Sequence, residues 1–311
     1  MARLRPEEHQ RYTRLIRAAM GSAFAFTPER EDDRTIQVER GIVYSMAMTG
    51  HPGAELRSPV ERLIQSSETF QSPGETARPR AVEPPLTLTT VLDRAGHARR
   101  AYPGLLIYSW AQGFRLCIDD GAVKAWREPL RAWGRNIEQD VRAFRWPIGG
   151  LPASRGDDAT EAVWGALALH ALASPLDEPH WAELASDCFG RLGAGQQPGG
   201  ALLRAGRSDN PETRWYHELV LLHAAASYAA QSNDALVTAS VMQAADYHVN
   251  ETQPDHASAQ PWALLAFLWR HEAQPLADQM LQALQLQQAQ SAGGVPSMLL
   301  ADALYCLRLL K

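Results

Sequence analysis

Lysine and cysteine are both scarce in this chain of 311 residues. Lys124 and Lys311 are the only lysines, so all but two of the 30 basic residues are arginine. This argues against an enzyme that forms a Schiff base on lysine. The three cysteines, Cys117, Cys188 and Cys306, are too widely spaced for a CxxC metal pair or a disulfide framework. We therefore expect a reducing compartment.

Long apolar runs and an excess of positive charge are also missing. No segment approaches the roughly 18 apolar residues of a membrane span, and residues 1–9 lack the apolar core of a signal peptide. The net charge of −5 argues against a nucleic-acid partner, because phosphate contacts need clustered basic residues. The segment Gly193–Gly199 has the wrong spacing for a dinucleotide loop, and no Walker lysine is present. We expect a cytoplasmic protein without a cofactor.

What the chain does contain is helix after helix, of two alternating kinds. Six segments have one apolar stripe and a charged face, as in Trp126, Leu130 and Trp133, and they begin near residues 6, 56, 126, 181, 236 and 276. Six others are apolar on most sides and must be covered all round: residues 36–48, 104–117, 159–173, 213–230, 258–270 and 296–310. The pattern predicts a single all-α domain over residues 1–311.

Strict alternation of the two kinds favours a closed ring, with six buried helices surrounded by six amphipathic ones. The helix at residues 6–22 would close the ring against the last buried helix. An open stack of helical hairpins is the alternative, but the polar capping helices that it needs are missing. One connection, residues 71–102, is long and rich in proline and arginine. Such a loop is either a lid over the site or a disordered segment.

Two stretches repeat one another at an offset of 53 residues, since residues 157–172 align with residues 210–225. Each is a polar loop that runs into an apolar helix, and His170 and His223 fall at the same place. We expect these two histidines to be core residues bonded to a neighbouring helix. A repeat of this size is typical of stacked helical hairpins.

Polar segments precede three of the buried helices, at residues 155–161, 207–214 and 253–260. In a ring of hairpins, all inner helices start at the same end, which we call the rim. The three segments should therefore converge there. Helix N-termini favour carboxylates and bound anions, although Asp158, Asn210 and Asp255 are also ordinary capping residues.

The densest polar segment combines Arg214, Trp215, Tyr216, His217 and Glu218. Arginine binds anions, the two aromatic rings can stack on a substrate, and the last two side chains serve acid–base chemistry. With the next histidine, His217 and Glu218 spell HEx4H rather than the HExxH of zinc proteases, so no metal site is predicted.

The alternating helices, with acids and aromatic residues ahead of the inner ones, resemble the (α/α)6 toroid of the six-hairpin glycosidases and related sugar enzymes. The resemblance implies a rim pocket in which two carboxylates share the acid and base roles. The catalytic candidates are Asp158, Asp209, Glu212, Tyr216, His217 and Asp255. The substrate-binding candidates are Asp157, Arg214, Trp215, His256 and Trp262.

Three alternatives remain open at this point. A polysaccharide lyase would use Tyr216 as base beside His217, with Arg214 or Asn210 neutralising a uronate carboxylate. A terpenoid-cyclase-like enzyme is suggested by residues 157–161, which have the form DDxxE. A non-catalytic toroid would instead bind a small molecule, an oligosaccharide or a protein partner at the same rim.

Overall fold

The chain is predominantly helical in a computed structural model, which describes residues 4–23, 90–92, 98–100, 103–116, 127–207, 209–251, 261–286 and 294–309. The fold class predicted from the sequence, all-α, is confirmed for these residues. The predicted helices at 36–48 and 56–70 lie outside the described residues. Within the predicted loop at 71–102, two short strands pair in antiparallel fashion: β1, Thr90–Leu92, and β2, Ala98–Arg100.

Every α-helix that the structure describes falls on a helix predicted from periodicity. They are α1, Pro6–Ala23; α2, Pro103–Leu116; α3, Arg127–Ala143; α4, Gly156–Leu176; α5, Pro179–Ala194; α6, Pro211–Ser232; α7, Ala235–Glu251; α8, Leu264–Trp269; α9, Gln274–Leu286; and α10, Gly294–Leu309. Two further short strands, β3 at Leu151–Pro152 and β4 at Leu203–Arg204, pair in parallel. Short 3-10 turns at Ala153–Arg155 and His271–Ala273 lead into α4 and α9.

The two kinds of helix differ in burial as the sequence predicts. Helix α4 is buried around most of its circumference, because α2, α3, α5 and α6 all pack against it. Helix α6 is covered in the same way by α4, α7, α8 and α10. Helix α3 instead buries one stripe, Leu130, Trp133, Ile137 and Val141, and leaves its charged face in solvent.

The N-terminal helix packs against the C-terminal one. Helix α1 contacts both α9 and α10, and the His9 Nε2 atom lies 2.9 Å from the backbone oxygen of Leu307. Tyr12 and Ile16 of α1 are fully buried in this interface. The predicted contact between the first amphipathic helix and the last buried helix is therefore present.

A buried carboxylate joins three of the inner helices. Asp302 of α10 accepts hydrogen bonds from Tyr108 of α2 at 2.6 Å, and from Ser227 of α6. The Nε2 atom of His223, also on α6, lies 3.1 Å from Oδ2 of Asp302, the oxygen that also accepts the Ser227 hydroxyl. Gln112 and Gln231 donate to the Tyr108 hydroxyl at 2.6 and 2.7 Å. Because buried polar groups are costly when unpaired, this network fixes the helices relative to one another.

The same network explains why α8 is shorter than the predicted helix at 258–270. Ala263 has a left-handed backbone, with φ of 60°, so the helix begins only at Leu264. The Ala263 N–H donates to Nδ1 of His223 at 3.2 Å. Left-handed backbone is disfavoured for a residue with a Cβ, so neighbouring contacts must hold it. His223 is thus confirmed as a core histidine bonded to its neighbours, while His170 is half-buried with its ring 4.9 Å from that of Tyr228.

Among the described residues, no helix has the length and apolar character needed to cross a membrane. Two of the three cysteines, Cys188 and Cys306, are buried as free thiols. Burial raises the pKa of the Cys188 thiol well above its ordinary value, which makes that sulfur a packing group rather than a nucleophile.

Candidate functional site

Two of the three polar segments expected to converge do so at the N-termini of α4 and α6, and we keep the word rim for this end of the two helices. Strand β3 precedes α4 and strand β4 precedes α6, and the two strands pair in parallel with Leu151 opposite Leu203. Both helices therefore begin at the same end of the assembly. The third segment, which contains Asp255 and His256, lies outside the described residues.

The first contact across this junction joins Asp157 to His217. Asp157 is in the first turn of α4, and its Oδ1 atom lies 3.9 Å from Nε2 of His217 in the second turn of α6. His217 is 7% exposed, whereas the Asp157 side chain is 47% exposed. The carboxylate thus faces solvent while the imidazole is held inside.

Gly156 makes room for that imidazole. A Cβ atom at this position would lie 2.7 Å from the Cγ and Cδ2 atoms of His217. Atoms at such a distance overlap, so any larger residue would displace the ring. The glycine at the start of α4 is therefore a requirement of the Asp157–His217 arrangement.

Two aromatic rings pack beside His217 in turn, with that of Tyr216 next to the imidazole and that of Trp262 next to Tyr216. The Tyr216 ring lies 5.7 Å from the His217 ring and 6.3 Å from the Trp262 ring, edge to face in both cases. Tyr216 is half-buried, and Trp262 is 2% exposed, so the indole supports the phenol from beneath. We call Asp157, Tyr216, His217 and Trp262 the rim cluster.

Arg214, Trp215 and Tyr247 lie beside the rim cluster and are half-buried. Burial raises the pKa of the Tyr247 phenol, and the nearby Glu218 carboxylate adds to the shift. The Arg214 guanidinium and hydrogen bonding with Trp215 and Arg214 act in the opposite direction. The arrangement thus places one fixed positive charge next to the phenol of α7.

Of the carboxylates predicted to act as a catalytic pair, Asp158 and Asp209 make local contacts. Asp158 is exposed, with Oδ2 3.5 Å from Nε of Arg155. Asp209 accepts the N–H of Gly206 within its own turn. Glu212 is exposed in the first turn of α6, where its N–H donates to the capping side chain of Asn210 at 2.9 Å. None of these contacts joins one of the three carboxylates to another.

Two residues that are not among the catalytic and substrate-binding candidates lie behind the rim cluster. Glu218 of α6 and His248 of α7 are both 0% exposed. Burial raises the pKa of Glu218 to about 7, although two backbone N–H groups and Arg214 favour its ionised form. Burial lowers the pKa of His248 to about 3. The sequence signal for Glu218 was its place within an otherwise apolar stretch, because a lone carboxylate on a buried helix needs dedicated donors.

Comparison with known proteins finds no relative: no family model matches the chain, and no curated protein or solved structure matches it. Among the described residues, no group of three or more histidine, cysteine, aspartate or glutamate side chains is arranged to hold a metal ion.

Proposed function

We propose that this chain is an enzyme that acts on a saccharide at the rim where α4 and α6 begin. The observation that carries the proposal is the meeting of Asp157, His217 and Tyr216 at the junction of two repeated loop–helix units. An acid, an imidazole and a phenol at one solvent-facing edge supply the groups needed for proton transfer. We also propose that the helices close a toroid of the six-hairpin type, which the packing of α1 against α10 supports.

Among sugar chemistries, elimination from a uronate fits these groups better than hydrolysis. In this reaction the Tyr216 oxygen removes the proton on the carbon next to the uronate carboxylate. The electron pair forms a carbon–carbon double bond, and the bond to the leaving sugar oxygen breaks. That oxygen takes up the proton that Tyr216 has removed, which returns Tyr216 to the phenolate form in which it acts as the base. Arg214 supplies the positive charge that stabilises the carboxylate in the transition state, and Asp157 orients the imidazole of His217 beside the phenol.

Hydrolysis by two carboxylates remains the second version of the proposal. It would use Asp158 with Asp209, Glu212 or Asp255. The local contacts of Asp158 with Arg155 and of Asp209 with Gly206 give it less support, since a catalytic carboxylate must be available to the substrate.

A non-catalytic toroid is the remaining candidate. It is favoured by the burial of Trp262, because an indole that is 2% exposed packs in the core and offers no open stacking face. In that case the half-buried Trp215 and Arg214 would bind an oligosaccharide, another small molecule or a protein partner without turnover.

Elimination and hydrolysis can be distinguished by their products and by the effects of two variants. Uronate-containing and neutral oligosaccharides are incubated with the protein, and products are assayed for new reducing ends and for the ultraviolet absorbance of a conjugated double bond. We expect the absorbing product from uronates. Tyr216→Phe should lower kcat by about 100-fold or more, and Asp158→Asn should change it by less than about twofold.

Tyr12→Phe is the matched control, because it removes a tyrosine hydroxyl from α1, away from the rim. It should leave turnover unchanged. Loss of activity in Asp158→Asn together with full activity in Tyr216→Phe would replace elimination by hydrolysis. Binding of an oligosaccharide without any turnover would favour the non-catalytic toroid.

A further inference from the structure

Glu218 and His248 face one another in the interior, behind the rim cluster. Oε2 of Glu218 lies 3.9 Å from Nε2 of His248, and neither side chain is exposed. The two residues belong to neighbouring helices, α6 and α7, that pack together. Neither group has a part in the proposed elimination.

The Glu218 carboxylate holds a strand as well as facing a histidine. Its Oε2 atom accepts the N–H of Leu202, and its Oε1 atom accepts the N–H of Leu203, both at 2.8 Å. Leu202 leads into β4 and Leu203 is its first residue, and this strand pairs with β3. Strand β3 in turn leads through a 3-10 turn to Gly156 and Asp157. The carboxylate therefore positions the loops that precede both helices of the rim.

Ionisable groups approach Glu218 from two sides. Arg214 lies on its own helix, and Tyr247 and His248 face it from α7. The strand side contributes the two backbone donors of Leu202 and Leu203. His248 supplies no counter-charge near neutral pH, because burial keeps its imidazole neutral down to about pH 3. Among the described residues, the charge that offsets an ionised Glu218 is that of Arg214.

We propose that Glu218 and His248 form a proton-responsive clamp that regulates the rim cluster. When Glu218 is ionised, its two oxygens hold both backbone N–H groups. When a proton from solvent binds Oε2, that oxygen becomes a hydroxyl, which donates to the neutral Nε2 of His248. The regulation of the site rests on the proposed function, whereas the clamp itself does not.

Protonation at Oε2 affects Leu202 more than Leu203. Oε2 is the oxygen that accepts the Leu202 N–H and also the one that lies 3.9 Å from His248. A protonated oxygen is a poor acceptor, so the Leu202 N–H loses its partner while the Leu203 N–H keeps Oε1. Because an unpaired buried N–H is costly, the segment before β4 must shift. The shift passes to β3 through their pairing and so to Asp157.

The test follows the backbone amide resonances of Leu202 and Leu203 by NMR from about pH 5 to about pH 9. In the wild-type chain, the Leu202 resonance should shift with a midpoint near pH 7, and by more than that of Leu203. Glu218→Gln should abolish the transition. His248→Phe should move its midpoint to lower pH, because the acceptor for the protonated form is removed.

Glu212→Gln is the matched control, since it removes an exposed carboxylate from the same helix. It should leave the Leu202 transition unchanged. A flat Leu202 resonance in the wild-type chain, or a transition that persists in Glu218→Gln, would overturn the clamp. The wild-type titration needs no variant to fold.

The link to the site is tested in the same titration through the ring resonances of Tyr216, which should change with the same midpoint. A Leu202 transition without a matching change at Tyr216 overturns the regulation of the site. No substrate is used, so a failure of the saccharide proposal would show in the turnover assay and leave this result unaffected.

Discussion

Helix α6 carries one buried carboxylate, Glu218, and contacts a second, Asp302 of α10. The two carboxylates are held by different kinds of hydrogen-bond donor. Asp302 accepts hydrogen bonds from side chains: the hydroxyls of Tyr108 and Ser227 and the imidazole of His223. Glu218 accepts hydrogen bonds from the backbone N–H groups of Leu202 and Leu203. Both carboxylates are almost fully excluded from water. The chemical group is the same, and the elements that it joins are not.

The donors decide what each carboxylate can do. The partners of Asp302 project from packed helices, so a change there disturbs the core itself. The partners of Glu218 are Leu202, just before β4, and Leu203, the first residue of β4, so they belong to an extended segment that can move while α4 and α6 stay packed. A carboxylate bound by helix side chains therefore serves stability, and one bound by a loop backbone can also serve as a switch.

The largest expected effect follows from removing Asp302. Asp302→Ala leaves two hydroxyls and an imidazole N–H without their acceptor in the core, so we expect the free energy of unfolding to fall by about 3–5 kcal/mol. Urea denaturation followed by circular dichroism measures the loss. Asp187→Ala is the control, because its ion pair with Arg191 is exposed and should contribute less than about 1 kcal/mol. Equal losses in the two variants would contradict the comparison.

The next effect is the dependence of stability on pH. The pKa of Glu218 is about 7 in the folded chain and 4.5 ordinarily, so the folded state binds this proton more tightly. The resulting stability is present below about pH 4.5 and is lost as pH rises through 7, by about 3 kcal/mol in total. The difference in free energy of unfolding between the wild-type chain and Glu218→Gln, measured in urea at a series of pH values, should show this loss.

His248 acts in the opposite direction. Its pKa falls from 6.5 to about 3 on burial, so its contribution is present above about pH 6.5 and is lost as pH falls toward 3. The two slopes cancel between about pH 4.5 and 6.5, where stability should be greatest. A wild-type profile that rises steadily from about pH 5 to about pH 8 would contradict the assignment to Glu218, because His248 alone raises stability with pH in the lower half of that range.

The smallest expected effect concerns the space beside His217. Gly156→Ala places a Cβ atom 2.7 Å from the imidazole, so the ring must move, and we expect a loss of about 1–3 kcal/mol with reduced turnover. Gly190→Ala is the matched control, since a Cβ atom there meets nothing within 4 Å. Alanine suits a helix better than glycine, so the control should gain about 0.5–1 kcal/mol. Thermal unfolding of both variants checks the opposite signs.

The helices could be predicted from the sequence because their apolar periods are long. Helix α4 has apolar residues on nearly every side, and α3 has them at steps of three and four. Helix α8 is shorter than the sequence predicts, because it begins only after Ala263, whose backbone is left-handed. The local sequence gives no sign of this conformation, since alanine is an ordinary helix residue. That conformation depends on His223, which lies 40 residues earlier in the chain.

The site was harder to predict than the fold. Asp157, Tyr216 and His217 were all candidates, but the contact between the first and last of these spans two helices and leaves no trace in spacing. Capping residues and catalytic carboxylates look alike in sequence, so Asp158 and Asp209 could not be distinguished from local hydrogen-bond acceptors. Their contacts with Arg155 and Gly206 appear only in three dimensions.

The hydrogen bond from Ala263 to His223 also sets the direction of the whole core network. A backbone N–H can only donate, so Nδ1 of His223 is the acceptor and the ring proton sits on Nε2, pointing at Asp302. The glutamine amides donate to Tyr108, and Tyr108 donates to the same carboxylate. The hydroxyl protons of Tyr108 and Ser227 and the ring proton of His223 therefore all point at Asp302. With its donors converging on one acceptor, the network is a polar anchor that fixes the orientation of each side chain in the core.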